Sequence, residues 1–291
     1  MATNEIMQGE LVSVLTQDKV RLDGFFSAGG PTTSPTDTIQ AAIIVHGLSG
    51  NFYKSRLLKH FAAALNARDI ATLLVNTRGH DYLNATPRMG KTATIGAAFE
   101  IIDDCKHDLY AWADFLVSSH LENILLLGHS LGGIKALYSQ AHMPHPNIKK
   151  IAAYSATKLS YDSLMESSGG DRFVHWITTA QKWVEDDRGE DLMFVDFPFP
   201  TWISANAYLN KYGHGDKYNW LSVKEQISIP TLAVFGEREM QDNPAFQVMG
   251  PELAAIQLAN FDIRYIKNAD HFYTACFEEA TCELLKWLGL A

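Results

Sequence analysis

Short, mostly apolar runs, each ending at a glycine or polar junction, constrain this chain more than any other feature. They are AAIIVHG (41–47), ATLLVNT (71–77), NILLLGH (123–129), KIAAYSA (150–156), PTLAVFG (230–236) and IRYIKN (263–268). A strand that is apolar at every position, rather than at every second one, has to be covered on both faces. Helices are predicted between these runs, at 53–68, near 100–118, at 131–141, near 251–258 and from the last run to about 289. Buried strands alternating with helices specify an α/β fold with a mostly parallel central sheet flanked by helices.

Upstream of this pattern, LVSVLT and VRLDGFF flank Gln17-Asp18-Lys19 and read as an antiparallel hairpin. The stretch AGGPTTSPTDT (28–38) reads as an exposed loop. The strand–helix period breaks over residues 158–225, a segment crowded with aromatic residues such as Phe173, Trp176, Trp202 and Tyr208. A structureless loop of that length is uncommon in a compact domain. The expected organisation is therefore a core of residues 1–157 and 226–291 carrying a mainly helical cap insertion at 158–225. Its aromatics would pack a small core of their own and, in part, line an apolar pocket against the sheet.

Composition narrows the function. Hydrophobic residues make up 47% of the chain and charged residues 20%, enough for a sizeable core. A net charge of −9 repels polyanions and argues against nucleic acid as a partner. No apolar run is long enough to span a bilayer, and MATNEIMQGE lacks the layout of a secretory leader, so no membrane partner and a cytoplasmic location are expected. Cys105, Cys276 and Cys282 have neither a CxxC spacing nor the numbers of a disulfide framework and are expected as free thiols.

Chemistry concentrates where the strands end. Gly128-His129-Ser130-Leu131-Gly132 fits G-x-S-x-G, follows the apolar strand NILLL and opens a helix. A sharp strand-to-helix turn presents the Ser130 hydroxyl at a helix N-terminus, where backbone N–H groups can stabilise an oxyanion. A plain glycine-rich connection is the bland alternative. His46, His80, His129 and His271 show no metal-ligand spacing, and no G-K-[ST] follows the glycine-rich pieces, so neither a metal nor a phosphate-binding cofactor is expected.

These motifs resemble the α/β-hydrolase superfamily over nearly the whole chain, from AAIIVHG to the final helix, with GHSLGG as its nucleophile elbow. The resemblance implies a Ser130 nucleophile, an acid after a later strand and a histidine after the last, in that order. His271, in Asn268-Ala269-Asp270-His271-Phe272, takes the position of the base. Glu239 matches the family's strand-G-x-x-D acid, with Glu in place of Asp, and Asp242 is the alternative three residues on. Asp270 is expected as a turn residue. The oxyanion hole would come from the backbone amides of Leu131 and of Leu48 in His46-Gly47-Leu48-Ser49-Gly50. Ser49 would either cap a turn or reach the substrate. Asn76-Thr77-Arg78-Gly79-His80-Asp81 resembles the family's D-x-R-G-H-G segment and is read as a structural network, with Arg78 and His80 bordering the entrance as the alternative.

The expected activity is hydrolysis of a small, apolar or aromatic carboxylic ester, with lactone or amide also open. The alternatives are acyl transfer, carbon–carbon bond hydrolysis, or capture of a small ligand without turnover. The oligomeric state is left open.

Overall fold

The computed structural model describes residues 7–30 and 38–291. Residues 31–37 of the expected loop lie outside them. The central sheet has eight strands: β1 (Glu10–Leu15), β2 (Arg21–Ser27), β3 (Ala41–Val45), β4 (Ala71–Val75), β7 (Ile124–His129), β8 (Ile148–Tyr154), β11 (Thr231–Gly236) and β12 (Phe261–Ile266). Their spatial order is β1-β2-β4-β3-β7-β8-β11-β12. The opening hairpin pairs antiparallel and joins β4 antiparallel, whereas every pair from β4 to β12 is parallel.

Alternation along the strands explains why continuous apolar runs were needed. Ala41, Ile43 and Val45 enter one hydrophobic cluster, while Ala42 and Ile44 enter another on the opposite face. The first face is covered by α2 (Cys105–Ser118) and α3 (Leu131–His142), the second by α1 (Arg56–Asn66) and α11 (Phe277–Leu288). α1 shows how sequence sets such a layer. The Ser55 hydroxyl caps its first turn by accepting from the Leu58 amide, and Leu57, Leu58, Phe61, Ala62 and Leu65 form one buried stripe. Burying a leucine or phenylalanine of this kind contributes about 1.5–3 kcal/mol.

Three features depart from the sequence expectation. An antiparallel hairpin, β5 (Asn84–Arg88) and β6 (Lys91–Ile95), fills the stretch before α2. It turns at Met89-Gly90, both at positive φ, and most of its residues are exposed, so it lacks the apolar alternation that marks a strand. The second is the inserted segment. It holds the helices α4 (Tyr161–Met165), α5 (Gly170–Glu185), α6 (Ala205–Tyr212) and α7 (Trp220–Val223), and also a hairpin of β9 (Leu192–Val195) and β10 (Thr201–Ser204). Phe173, Ile177, Met193, Phe197, Tyr208 and Tyr212 form its own core, whereas Tyr218, Trp220 and Leu221 join the main one. Beyond β11 the chain forms three short helices, α8 (Glu237–Asp242), α9 (Pro244–Gln247) and α10 (Gly250–Ala254), in place of the single helix expected near 251–258. Among the described residues, no helix is long and apolar enough to cross a membrane.

Candidate active site

Three chemistry-bearing side chains arrive from the carboxyl ends of β7, β11 and β12, the edge of a parallel sheet where loops converge. Ser130 sits between β7 and α3 at φ 56° and ψ −124°. That backbone state is costly for a residue with a Cβ and persists only where its surroundings enforce it. Here the enforcement is close chain passage. A Cβ on Gly128 would overlap the Gly132 carbonyl, and one on Gly132 would overlap the carbonyls of Val45 and His46. The Ser130 amide is also fixed, donating 2.8 Å to the Tyr154 carbonyl.

The Ser130 hydroxyl donates to His271 Nε2 at 3.0 Å. On the other side of the ring, His271 Nδ1–H donates to Glu239 Oε2 at 2.9 Å. Glu239 stands in the first turn of α8 and is buried. Its second oxygen accepts from the Gly236 amide at 2.7 Å and the Ser155 hydroxyl at 2.6 Å. Tyr273 completes this shell, since its hydroxyl lies 3.0 Å from Ser155 Oγ and donates 3.0 Å to the Val234 carbonyl. Three donors thus fix the carboxylate in one orientation, two on Oε1 and His271 on Oε2.

Asp242, the alternative acid, is not brought to the histidine. It lies at the end of α8, largely exposed, with Arg238 3.9 Å away. Asp270 serves the turn, accepting from the amides of Phe272 at 3.0 Å and Thr274 at 2.9 Å.

The start of α3 and the loop 46–50 border the serine. Leu131 N–H opens α3 and, like other first-turn amides, has no acceptor within its helix. The loop 46–50 passes beside the nucleophile, because a Cβ on Gly47 would stand 3.2 Å from Ser130 Cβ and 3.6 Å from its Oγ. The Gly47 carbonyl accepts from His46 Nδ1–H at 2.7 Å and from the Gly50 amide at 3.1 Å. In a trans peptide the N–H points opposite to the C=O, so these two bonds aim the Leu48 amide away from His46 and Gly50.

The Asn76–Asp81 segment is an internal network. Arg78 bonds Asp108 through Nε at 3.0 Å and Nη2 at 2.7 Å, and reaches Asp18 at 2.9 Å and Asp104 at 3.0 Å. Burial pushes Asp18 up, but Arg78 and the Thr16 hydroxyl outweigh it and hold its carboxyl at about 2. His80 is buried against Asp81, 3.0 Å away, and Asp81 bonds Asn51 and Lys54.

Two histidines weighed in the sequence only as possible metal ligands or motif residues hold the site's backbone. His129, beside the nucleophile, donates from Nε2 to the His271 carbonyl at 2.7 Å and so fixes the backbone of the base. Burial, with some repulsion from His271, pulls His129 down to about 3. Burial and the Lys135 ammonium pull His46 down to about 3 as well. Both histidines therefore fold as neutral rings. Below the unfolded value of 6.5 the unfolded chain takes up two protons that the folded chain refuses, so stability falls as pH drops. The slope between pH about 6 and 4.5 should approach about 2.7 kcal/mol per pH unit, at about 1.4 per histidine. Urea titrations across that range check it. His129→Gln, which keeps a donor near Nε2, should remove up to half of the slope, and a flat profile would refute the buried neutral rings.

A family model for the alpha/beta hydrolase family matches residues 42–283, most of the chain. The chain belongs to the alpha/beta hydrolase family. The family places it among enzymes. No curated protein matches this α/β-hydrolase by sequence. Solved structures share its fold at low identity. Est1E from Butyrivibrio proteoclasticus, with ferulic acid bound, has a TM-score of 0.67 at 18% identity, covering 94% of this chain and 97% of that one. The α/β-hydrolase GrgF from Penicillium sp. sh18 has a TM-score of 0.71 at 17% identity, covering 97% and 98%. The Pyrococcus furiosus esterase Pf2001 has a TM-score of 0.64 at 16% identity, covering 99% and 95%.

Proposed function

We propose that this α/β-hydrolase cleaves a small carboxylic ester through an acyl-enzyme, with Ser130 as nucleophile, His271 as general base and Glu239 as its acid. The observation that carries this reading is the continuous chain from Ser130 Oγ through both nitrogens of His271 to Glu239 Oε2, at 3.0 Å and 2.9 Å. The proton on Ser130 Oγ passes to His271 Nε2 as the oxygen attacks the ester carbonyl. Glu239 keeps the Nδ1–H tautomer and offsets the imidazolium charge. The tetrahedral oxyanion rests on the Leu48 and Leu131 amides. Collapse breaks the ester C–O bond, and His271 returns its proton to the departing alkoxide. Water, deprotonated by the same histidine, then attacks the acyl-enzyme and releases the acid, restoring Ser130–H.

Residues 158–225 act in this reading as a cap over the site. Est1E, a structure of similar fold, carries ferulic acid, an aromatic acid, which supports an aromatic acyl or alcohol part, and Pf2001 is an esterase, which supports an ester bond. A panel of short-chain and aromatic p-nitrophenyl and methyl esters tests the proposal, with product analysis in added methanol or ethanol. Free acid as the main product is expected. Exchanged ester as the main product would make the protein an acyltransferase, and no turnover across the panel would overturn the esterase reading.

A further inference from the structure

Behind the loop 46–50 lies a charged cluster with no place in the chemistry above. Lys135, in α3 a little more than one turn past Ser130, is fully buried, and so is Glu100. Lys135 Nζ lies 2.5 Å from Glu100 Oε1 and donates to Thr77 Oγ1 at 2.8 Å. Thr77 in turn faces His46 Nε2, with its amide nitrogen at 3.2 Å and its hydroxyl at 3.4 Å. Two donors on Nε2 leave the ring proton on Nδ1, and that proton goes to the Gly47 carbonyl at 2.7 Å. The cluster therefore ends on the peptide whose N–H belongs to Leu48.

Stability does not account for such a pair. Removing a lysine and a carboxylate from water costs several kcal/mol per ion, and apolar residues of similar volume commonly serve a core equally well or better. The pair also touches the inserted segment. Lys211 of α6 is buried with its Nζ 3.9 Å from Glu100 Oε2 and makes no hydrogen bond among the described residues. The backbone on either side of Glu100 is tied to the same segment: Ser204 N–H donates to the Ala98 carbonyl at 2.8 Å, and Ile102 N–H donates to Asn210 Oδ1 at 3.1 Å.

We infer that Glu100 and Lys135 are positioning residues that hold the Leu48 amide toward the oxyanion through Thr77 and His46, and that the seating of the inserted segment bears on them. This rests on the hydrolase reading above. Without the Thr77 hydroxyl, Lys135 keeps only Glu100, and His46 Nε2 keeps only the Thr77 amide, leaving the Gly47 bond on Nδ1 as its other anchor. The imidazole then gains freedom to tilt, and the Gly47–Leu48 peptide to rotate with it.

The test is steady-state kinetics on a p-nitrophenyl ester, with fluorophosphonate labelling rates and melting temperatures, for the wild type, Thr77→Val, Thr77→Ser and Lys135→Met. Removing an oxyanion donor outright costs about 10²–10³ in kcat. A misdirected donor should cost less: Thr77→Val should lower kcat about 10- to 100-fold with KM within about twofold, and Thr77→Ser should restore it. Lys135→Met should follow Thr77→Val. Normal kcat and labelling in Thr77→Val, whatever its melting temperature, would overturn the inference alone and leave a packing role. A wild type inert to both ester and fluorophosphonate would overturn the hydrolase reading and this inference with it.

Discussion

Ser130→Ala lowers kcat by about 10⁴- to 10⁶-fold and leaves the fold in place. The loss is large because Ser130 Oγ is the atom that forms the covalent bond, and the oxyanion amides and His271 alone cannot supply a nucleophile. The fold survives because alanine keeps the Cβ and backbone already accommodated at φ 56°, and only the 3.0 Å bond to His271 is lost. A neutral hydrogen bond of that kind contributes about 0.5–1.5 kcal/mol net. Turnover by the purified variant against the ester panel, beside its melting curve, checks both halves. Near-normal turnover would remove Ser130 from the mechanism.

Glu239→Gln should lower kcat by about 10²- to 10⁴-fold, while Asp242→Asn stays within about twofold. The carboxylate accepts from three donors: Gly236 N–H at 2.7 Å, Ser155 Oγ–H at 2.6 Å and His271 Nδ1–H at 2.9 Å. A glutamine offers one oxygen and one NH₂ group in the same place. Whichever way it turns, an N–H faces a donor, and the least costly relief is for His271 to move its proton to Nε2, the nitrogen that must accept from Ser130. Asp242 has no such bond and faces solvent beside Arg238. Parallel kinetics on the two variants give the ranking. Equal effects, or a larger one at Asp242, would move the acid.

The sheet was legible because its central parallel strands, such as β3, β4 and β7, are buried and apolar on both faces, which few other folds require; edge strand β12, with Asp262 and Arg264, carries that signal only in part. Ser130, His271 and Glu239 were legible for a related reason. Each follows such a strand within a few residues, so local sequence carries its place. Ser155, Tyr273 and His129 were not, because what gives them meaning lies far along the chain. Ser155 meets Glu239 across 84 positions, and His129 meets His271 across 142. Lys135 was hidden differently. A lysine in a helix ordinarily faces water, and only folding shows that this one is enclosed with Glu100. The β5–β6 hairpin escaped because an exposed ribbon whose register is set by a Met89-Gly90 turn needs no apolar alternation.

The central claim is that Ser130 is an activated nucleophile, and intact mass after incubation with a fluorophosphonate tests it most directly. Ser130 should displace fluoride at phosphorus, giving a single adduct on the wild-type protein and none on folded Ser130→Ala. Equal labelling of both proteins, or a folded wild type that takes no label, would contradict the account.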